Sequence, residues 1–91
     1  MANVEWTPQA WAAHEAYALG LHIEFGFEAM MDYLRLIDEA VEFIKSHPLA
    51  GSPTISQALN RRVKLTSRKQ YQVHYDFDQA DAKAVIVAVF K

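Results

Sequence analysis

The sequence contains no cysteine, only three glycines and only three prolines. The lack of cysteine excludes disulfide bonds and thiolate metal ligands, and it agrees with a reducing compartment, so we expect a cytoplasmic protein. There is no glycine-rich phosphate loop, and no apolar stretch approaches the length of a transmembrane helix. The first residues also lack the basic start and apolar run of a signal peptide. These absences favour one small domain over residues 1–91 that has no contact with a membrane.

Charge is distributed unevenly along the chain, although the net charge is only −2. Residues 1–60 contain eight acidic and two basic residues, whereas residues 61–91 contain three acidic and seven basic residues. Five of the nine basic residues fall within Arg61–Lys69. Such a division either directs the basic half toward a polyanion or an acidic partner, or lets the two halves neutralise each other within one fold. Charge alone leaves both interpretations open.

Two helices are predicted in the first half of the chain. Thr7-Pro8 is a helix start, because threonine can cap free N–H groups and proline suits the first helical position. This helix should run from Pro8 to about Glu24, with a break at Gly26. A second helix follows, in which apolar residues recur at three- and four-residue steps on one face: Phe27, Met30, Leu34, Ile37, Val41 and Ile44. His47-Pro48 should end it, because the residue before proline avoids the helical region.

The second half has the two-residue period of β-strands. Polar and apolar residues alternate over 62–66 and over 71–77, and the short connection between them predicts a hairpin. Strands are also expected at Asn3–Trp6 and at Ala84–Phe90, and the latter is apolar throughout, as is typical of a strand covered on both faces. Leu49–Asn60 should be a loop that can hold a turn of helix at Ser56–Leu59. The predicted fold is α+β in the order β-α-α-β-β-β, with a helical hairpin packed on one face of an antiparallel sheet.

The alternation also divides the hairpin side chains between two faces. The residues expected on the core face are Val63, Leu65, Tyr71, Val73, Tyr75 and Phe77. The residues expected on the opposite, open face are Arg62, Lys64, Thr66, Gln72, His74 and Asp76. Any chemistry of the hairpin is therefore expected on its basic face.

Arg62 and Lys64 would lie roughly 7 Å apart on that face. Such a pair suits phosphate oxygens, and His74 beside it would be a weak candidate for a general acid or base. The alternatives are lysines that guard a sheet edge and an ordinary surface histidine. The wider candidate surface for phosphate or target binding consists of Arg61, Arg62, Lys64, Arg68 and Lys69.

No metal or cofactor is expected. His14 and His22 lie on nearly the same side of the first helix, but they are two turns apart, which is too far for one ion. The two-histidine helix motifs of zinc enzymes are absent. The catalytic residues, if there are any, stay unknown at this point, with Arg62, Lys64 and His74 as weak candidates.

Three segments together resemble the RelE/ParE superfamily, the toxins of bacterial toxin–antitoxin pairs, which are often labelled plasmid stabilisation proteins. The segments are VEWTPQAW, IDEAVEFIKSHPLAGSP, and RRVKLTSRKQYQVHYDF followed by AVIVAVF. The most specific parts are the Pro48–Gly51 turn and a loose strand pattern at Lys69–Tyr75. The resemblance spans nearly the whole chain and implies the same order of elements.

The resemblance implies one of two activities. RelE-like members cleave messenger RNA on the ribosome and use basic residues on the sheet, two of which match Arg62 and Lys64. The next arginine of that set is replaced by Gln72, and the last arginine and tyrosine would follow the final strand, beyond Lys91. ParE-like members bind DNA gyrase and are not nucleases, and the long second helix and the Pro48–Gly51 turn resemble theirs.

We therefore expect a ParE-like toxin of a type II toxin–antitoxin system that inhibits growth through a target such as DNA gyrase. A cognate antitoxin would neutralise it, and the chain is not expected to be an enzyme. A RelE-like ribonuclease acting on ribosome-bound messenger RNA and a non-toxic interaction module are the alternatives. A homodimer is left open.

Overall fold

The computed structural model describes residues 2–53, 61–66 and 70–91, which form two helices packed on one face of a sheet. The elements in chain order are β1 (Asn3–Trp6), α1 (Pro8–Phe25), α2 (Phe27–Ser46), β2 (Ser52–Pro53), β3 (Arg61–Leu65), β4 (Gln72–Asp78) and β5 (Lys83–Phe90). The predicted α+β class and order are confirmed, with the short strand β2 added inside the region expected to be a loop. The helical turn expected at Ser56–Leu59 lies outside the described residues.

The helix boundaries follow from the residues that were expected to set them. The Thr7 hydroxyl accepts a hydrogen bond from the Ala10 amide at 3.0 Å, and Pro8 begins α1. Gly26 separates the helices with a φ of 98°, in the left-handed region where a side chain would cause strain. α2 ends at Ser46, directly before His47-Pro48. The predicted helix boundaries are therefore confirmed to within a residue or two.

The sheet has the strand order β1-β5-β4-β3-β2 and is mixed. β5 pairs antiparallel with β4 and parallel with β1, where Asn3 lies opposite Lys83 and Trp6 opposite Ile86. The fully antiparallel sheet predicted from the sequence is therefore wrong at this edge. The meander of β3, β4 and β5 leaves one edge of β5 unpaired, and the intervening helices make a connection long enough to bring β1 in parallel.

The hydrophobic core lies between the helices and one face of the sheet. α2 contributes Tyr33, Ile37, Ala40 and Ile44, and the sheet contributes Val73, Tyr75, Ala84 and Ile86, all at 0–2% exposure. The predicted apolar face of α2 is confirmed except at Phe27, which is 60% exposed beside the interhelical break. Among the described residues, neither helix is long and apolar enough to cross a membrane.

Candidate functional site

The basic strand β3 presents Arg62 and Lys64 to the helix side of the sheet. Arg62 lies opposite Tyr75 and Lys64 opposite Val73 in the antiparallel ladder. Directly paired residues share a face, and Val73 and Tyr75 are fully buried against the helices. The predicted placement of Arg62 and Lys64 on the open face is therefore wrong, and Val63 and Leu65 lie there instead.

Contacts with α2 and its following turn explain this reversal. The Arg62 guanidinium donates hydrogen bonds to the carbonyl oxygens of Leu49 at 3.0 Å and Gly51 at 2.8 Å. The Lys64 ammonium lies 4.2 Å from the centre of the Phe43 ring on α2. Long basic side chains can bury their stems while their charged ends reach polar or aromatic partners. Both residues therefore fit the inner face at its rim, although the alternation pattern treats them as polar.

The Pro48–Gly51 turn is held by Arg62 together with Tyr75. The Tyr75 hydroxyl donates a hydrogen bond to the Pro48 carbonyl at 2.5 Å. A Cβ atom on Gly51 would lie 3.1 Å from two carbons of the Tyr75 ring and still closer to its hydroxyl. The turn that contributes to the family resemblance thus requires glycine because an aromatic side chain packs directly against its backbone.

Arg61 points to the open face and is paired within the chain. Its guanidinium makes two hydrogen bonds to the Asp76 carboxylate, from Nε to Oδ1 and from Nη2 to Oδ2, the latter at 3.2 Å. The hydrogen bond with Asp76 raises the pKa of Arg61. All three described members of the predicted basic surface (Arg61, Arg62 and Lys64) therefore contact other parts of the chain. The other two members, Arg68 and Lys69, lie outside the described residues.

His74 lies on the open face, across the sheet from Arg62 and Lys64. Its Nε2 is 3.1 Å from Gln72 Oε1, and its ring packs edge-on against Phe90 with 4.8 Å between the ring centres. Burial lowers the pKa of His74, and the positive charge of Arg61 lowers it further. The weak catalytic candidates Arg62, Lys64 and His74 are thus not brought together.

The open face carries an apolar surface that sequence reasoning missed. Pairing across the ladders places on it Val63, Leu65, Val85, Ala88 and Phe90, together with His74. Leu65 is 38% exposed and Phe90 is 52% exposed. Both helices lie on the other side, so no described element covers this face, and the expectation that β5 is covered on both faces is wrong within the described chain. The uninterrupted apolar run of β5 was the signal for this surface, because it makes both faces of the strand apolar.

Ion pairs border this apolar surface. Arg61 and Asp76 lie on its β3–β4 side, and Lys83 contacts Glu5 at 2.7 Å on its β5–β1 side. An apolar centre with a charged rim is the usual composition of a protein–protein interface. The open face, defined by Val63, Leu65, His74, Val85, Ala88 and Phe90, is therefore the candidate binding surface.

A cluster of aromatic hydroxyl groups forms a second feature, beneath α1. His14 Nδ1 and the Tyr33 hydroxyl share a hydrogen bond at 2.8 Å, and the hydroxyls of Tyr17 and Tyr71 are 3.1 Å apart. These side chains line a cavity of about 230 Å³. Burial lowers the pKa of His14, although Glu15 opposes the shift, and burial with the nearby Tyr17 raises the pKa of Tyr33 to about 12. Both shifts favour the uncharged forms of His14 and Tyr33 at neutral pH.

The two helix histidines lie in different environments. His14 is 7% exposed and bonded to Tyr33, whereas His22 is exposed near the end of α1. Among residues 2–53, 61–66 and 70–91 there is no group of three side chains that could hold a metal ion. A buried histidine bonded to a tyrosine was not predicted, because nothing in the local sequence links positions 14 and 33.

Comparison with solved structures finds a chain of the same fold. It is described as "Chromosomal ParDE TA system from P. aeruginosa" and matches with a TM-score of 0.77, covering 100% of this chain and 96% of that chain. Sequence identity is 18%, so this likeness shows the fold alone. No protein-family model and no curated protein sequence matches. The resemblance to the RelE/ParE superfamily is thus confirmed at the level of the fold.

Proposed function

We propose that this chain is the toxin of a type II toxin–antitoxin pair, that it acts in the cytoplasm in the ParE manner by binding a target protein such as DNA gyrase, and that a cognate antitoxin neutralises it. The observation that carries the proposal is the full-length fold similarity to a chain of a ParDE system. The sequence segments that resemble the superfamily cover the same elements, from β1 to β5.

The basic residues of β3 favour binding over RNA cleavage. A ribonuclease of this fold needs free cations on the sheet to stabilise the charge on a phosphate in the transition state. Arg61 is instead paired with Asp76, Arg62 donates to the turn after α2, and Lys64 lies over Phe43. Gln72 also replaces a further arginine of the nuclease pattern. Each contact would have to break before RNA could use these charges.

The open face is the surface that we assign to the antitoxin. It offers exposed apolar side chains along β3 and β5, with Leu65 and Phe90 the most exposed. An amphipathic segment could bury these residues against its own apolar side and place acidic or basic groups against the ion pairs at the rim. Covering the face would also remove an exposed apolar surface of the free toxin.

Induced expression in bacteria tests the proposal. Expression of the chain alone should arrest growth or cause filamentation, and co-expression with the product of the adjacent reading frame should restore growth. Purified chain should inhibit the supercoiling activity of gyrase, whereas ribosome-bound messenger RNA should stay intact. Normal growth on expression of the folded chain would leave a non-toxic interaction module, and message cleavage would favour the ribonuclease.

Two matched substitutions test the assignment of the antitoxin surface. Phe90→Glu places a charge on the open face, at the end of β5, and should abolish rescue by the antitoxin. Phe27→Glu makes the same change at a residue of similar exposure on the helical side and should leave rescue intact. Equal rescue of both variants would show that the antitoxin binds elsewhere.

A further inference from the structure

α1 has apolar residues on two opposite faces, one that packs against the rest of the chain and one that faces outward. Its inner side buries Ala10, His14 and Ala18 against the rest of the chain. Its outer side exposes Ala12, Ala16, Leu19 and Ile23. Leu19 is 57% exposed and Ile23 is 73% exposed. A surface helix normally turns a polar side to water, so this outer side lacks a partner in the isolated chain.

The spacing of the outer residues is that of a coiled-coil seam. Ala12, Ala16, Leu19 and Ile23 follow one another at steps of four, three and four residues, the alternation of d and a positions over two heptads. Leu19 would then occupy a d position and Ile23 an a position, and both positions face the partner helix in a coiled coil. The seam runs for about 16 Å along the helix.

We propose that this seam pairs α1 with α1 of a second copy of the chain, antiparallel, about a two-fold axis near residues 17 and 18. The seam is graded in size, with alanines in its first half and large side chains in its second half. Antiparallel pairing sets Ile23 against Ala12 of the second copy and Leu19 against Ala16, so that large side chains fill the space beside small ones. Parallel pairing would crowd large residues together and leave a gap between the alanines.

Two polar residues beside the seam favour the same arrangement. Glu15 and His22 lie seven residues apart, on the same flank of the seam. In the antiparallel register Glu15 is offset by only about 3 Å along the helix axis from His22 of the second copy, so that these two long side chains can meet beside the seam. The two-fold axis makes this contact twice. A parallel pair would place Glu15 of one copy and His22 of the other on opposite flanks of the seam and lose both contacts.

The proposed dimer leaves the open face free. α1 packs on the opposite side of the sheet, and its outer side points away from the sheet altogether. Two copies joined through α1 would therefore each present Phe90 and its neighbours on the far side of the assembly. The inference rests on α1 alone and does not depend on the proposed function.

Sedimentation of the full chain over a wide concentration series tests the dimer. The parent chain should show a reversible monomer–dimer equilibrium. The double variant Leu19→Glu/Ile23→Glu should raise the dissociation constant at least about tenfold, because two large apolar side chains leave the interface. Leu49→Glu is the matched control, since Leu49 is 49% exposed and distant from α1, and it should change nothing. Far-UV circular dichroism checks that every variant is folded.

Cross-linking tests the orientation, and the absence of native cysteine makes it simple. A mixture of Ala12→Cys and Ile23→Cys chains should form disulfides between the two different variants. These positions are about 16 Å apart along one helix, so a parallel pair would form disulfides only between identical variants. Three results would each overturn the proposal. The parent chain could stay monomeric, the double glutamate variant could keep the dissociation constant of the parent dimer, or disulfides could form only between identical variants. Loss of growth inhibition in a glutamate variant of a monomeric chain would likewise overturn it and assign the seam to the target.

Discussion

At the scale of single residues, the turn after α2 depends on three positions that act together. Arg62 supplies donors to two of its carbonyl groups and Tyr75 supplies one to a third. Gly51 allows the Tyr75 ring to lie against the backbone. The turn therefore fixes the end of α2 relative to β3 and β4 through these hydrogen bonds and its close packing on Tyr75.

Gly51→Ala should lower the free energy of unfolding by about 1–3 kcal/mol, because the added Cβ overlaps the Tyr75 side chain inside a packed site. Gly20→Ala is the control, since nothing lies within 4 Å of a Cβ there and alanine favours the helix. It should raise the free energy of unfolding by up to about 1 kcal/mol. Urea denaturation of the three chains would measure both changes, and effects of the same sign would contradict the account.

Arg62→Ala should lower the free energy of unfolding by about 1–3 kcal/mol, because two carbonyl groups lose a charged hydrogen-bond donor. Arg35→Ala removes an exposed ion pair with Asp32 on α2 and should cost less than about 0.5 kcal/mol. Thermal or urea unfolding distinguishes the two. A neutral Arg62→Ala variant would mean that the guanidinium is free for an external ligand, which would reopen the phosphate interpretation.

At the scale of elements, α1 is set at its start by a side-chain cap. Thr7→Ala removes the acceptor for the Ala10 amide and should cost about 1 kcal/mol of stability. Thr7→Asp restores an acceptor at the same position and should recover most of that loss. The urea midpoints of the parent chain and the two variants measure these changes. If the cap does not stabilise the protein, all three midpoints will be equal.

The helices could be predicted closely because their signals are local. Thr7-Pro8, Gly26 and His47-Pro48 each act within one turn of chain, and the apolar period of α2 needs no knowledge of its partner. The face presented by β3 could not be predicted in the same way. It depends on the register with β4 and on the carbonyl groups that Arg62 reaches, and both are tertiary features. Charge was a misleading guide there, because the basic side chains lie on the inner face at its rim.

The candidate site was only partly predictable for a related reason. His74 was expected on the open face and lies there, but its expected neighbours Arg62 and Lys64 lie on the other side. The apolar run of β5 indicated that both faces of this strand are apolar, and one of them lies on the open face. It could not show which of the two faces packs against the helices, because the pattern is the same on both.

At the scale of the whole molecule, stability should depend on pH through buried groups. His14 and His74 have lowered pKa values, so below pH 6.5 the unfolded chain binds protons that the folded chain does not. Stability should therefore fall as pH drops through 6.5. Tyr33 has a pKa raised to about 12, so stability should also fall above pH 10, where the unfolded tyrosine ionises. The free energy of unfolding should therefore form a plateau between pH 6.5 and pH 10.

Urea midpoints measured across pH would test this plateau. In the variant His14→Gln the loss of stability below pH 6.5 should be smaller, because the more buried of the two histidines no longer titrates. If the urea midpoint of this variant fell with decreasing pH as steeply as that of the parent chain, other groups would be responsible for the loss of stability. The loss of stability above pH 10 can be tested without a variant, since ultraviolet difference spectra report tyrosine ionisation directly.

The parallel pairing of β1 with β5 joins the first and last elements of the chain, with Asn3 opposite Lys83. During synthesis β1 thus has no edge to join until β5 has also been made. Contacts this distant in sequence form late and slow the search for the native state. A half-made chain would hold its helical hairpin without a finished sheet. The order of translation therefore delays any activity that needs the complete sheet until β5 has left the ribosome.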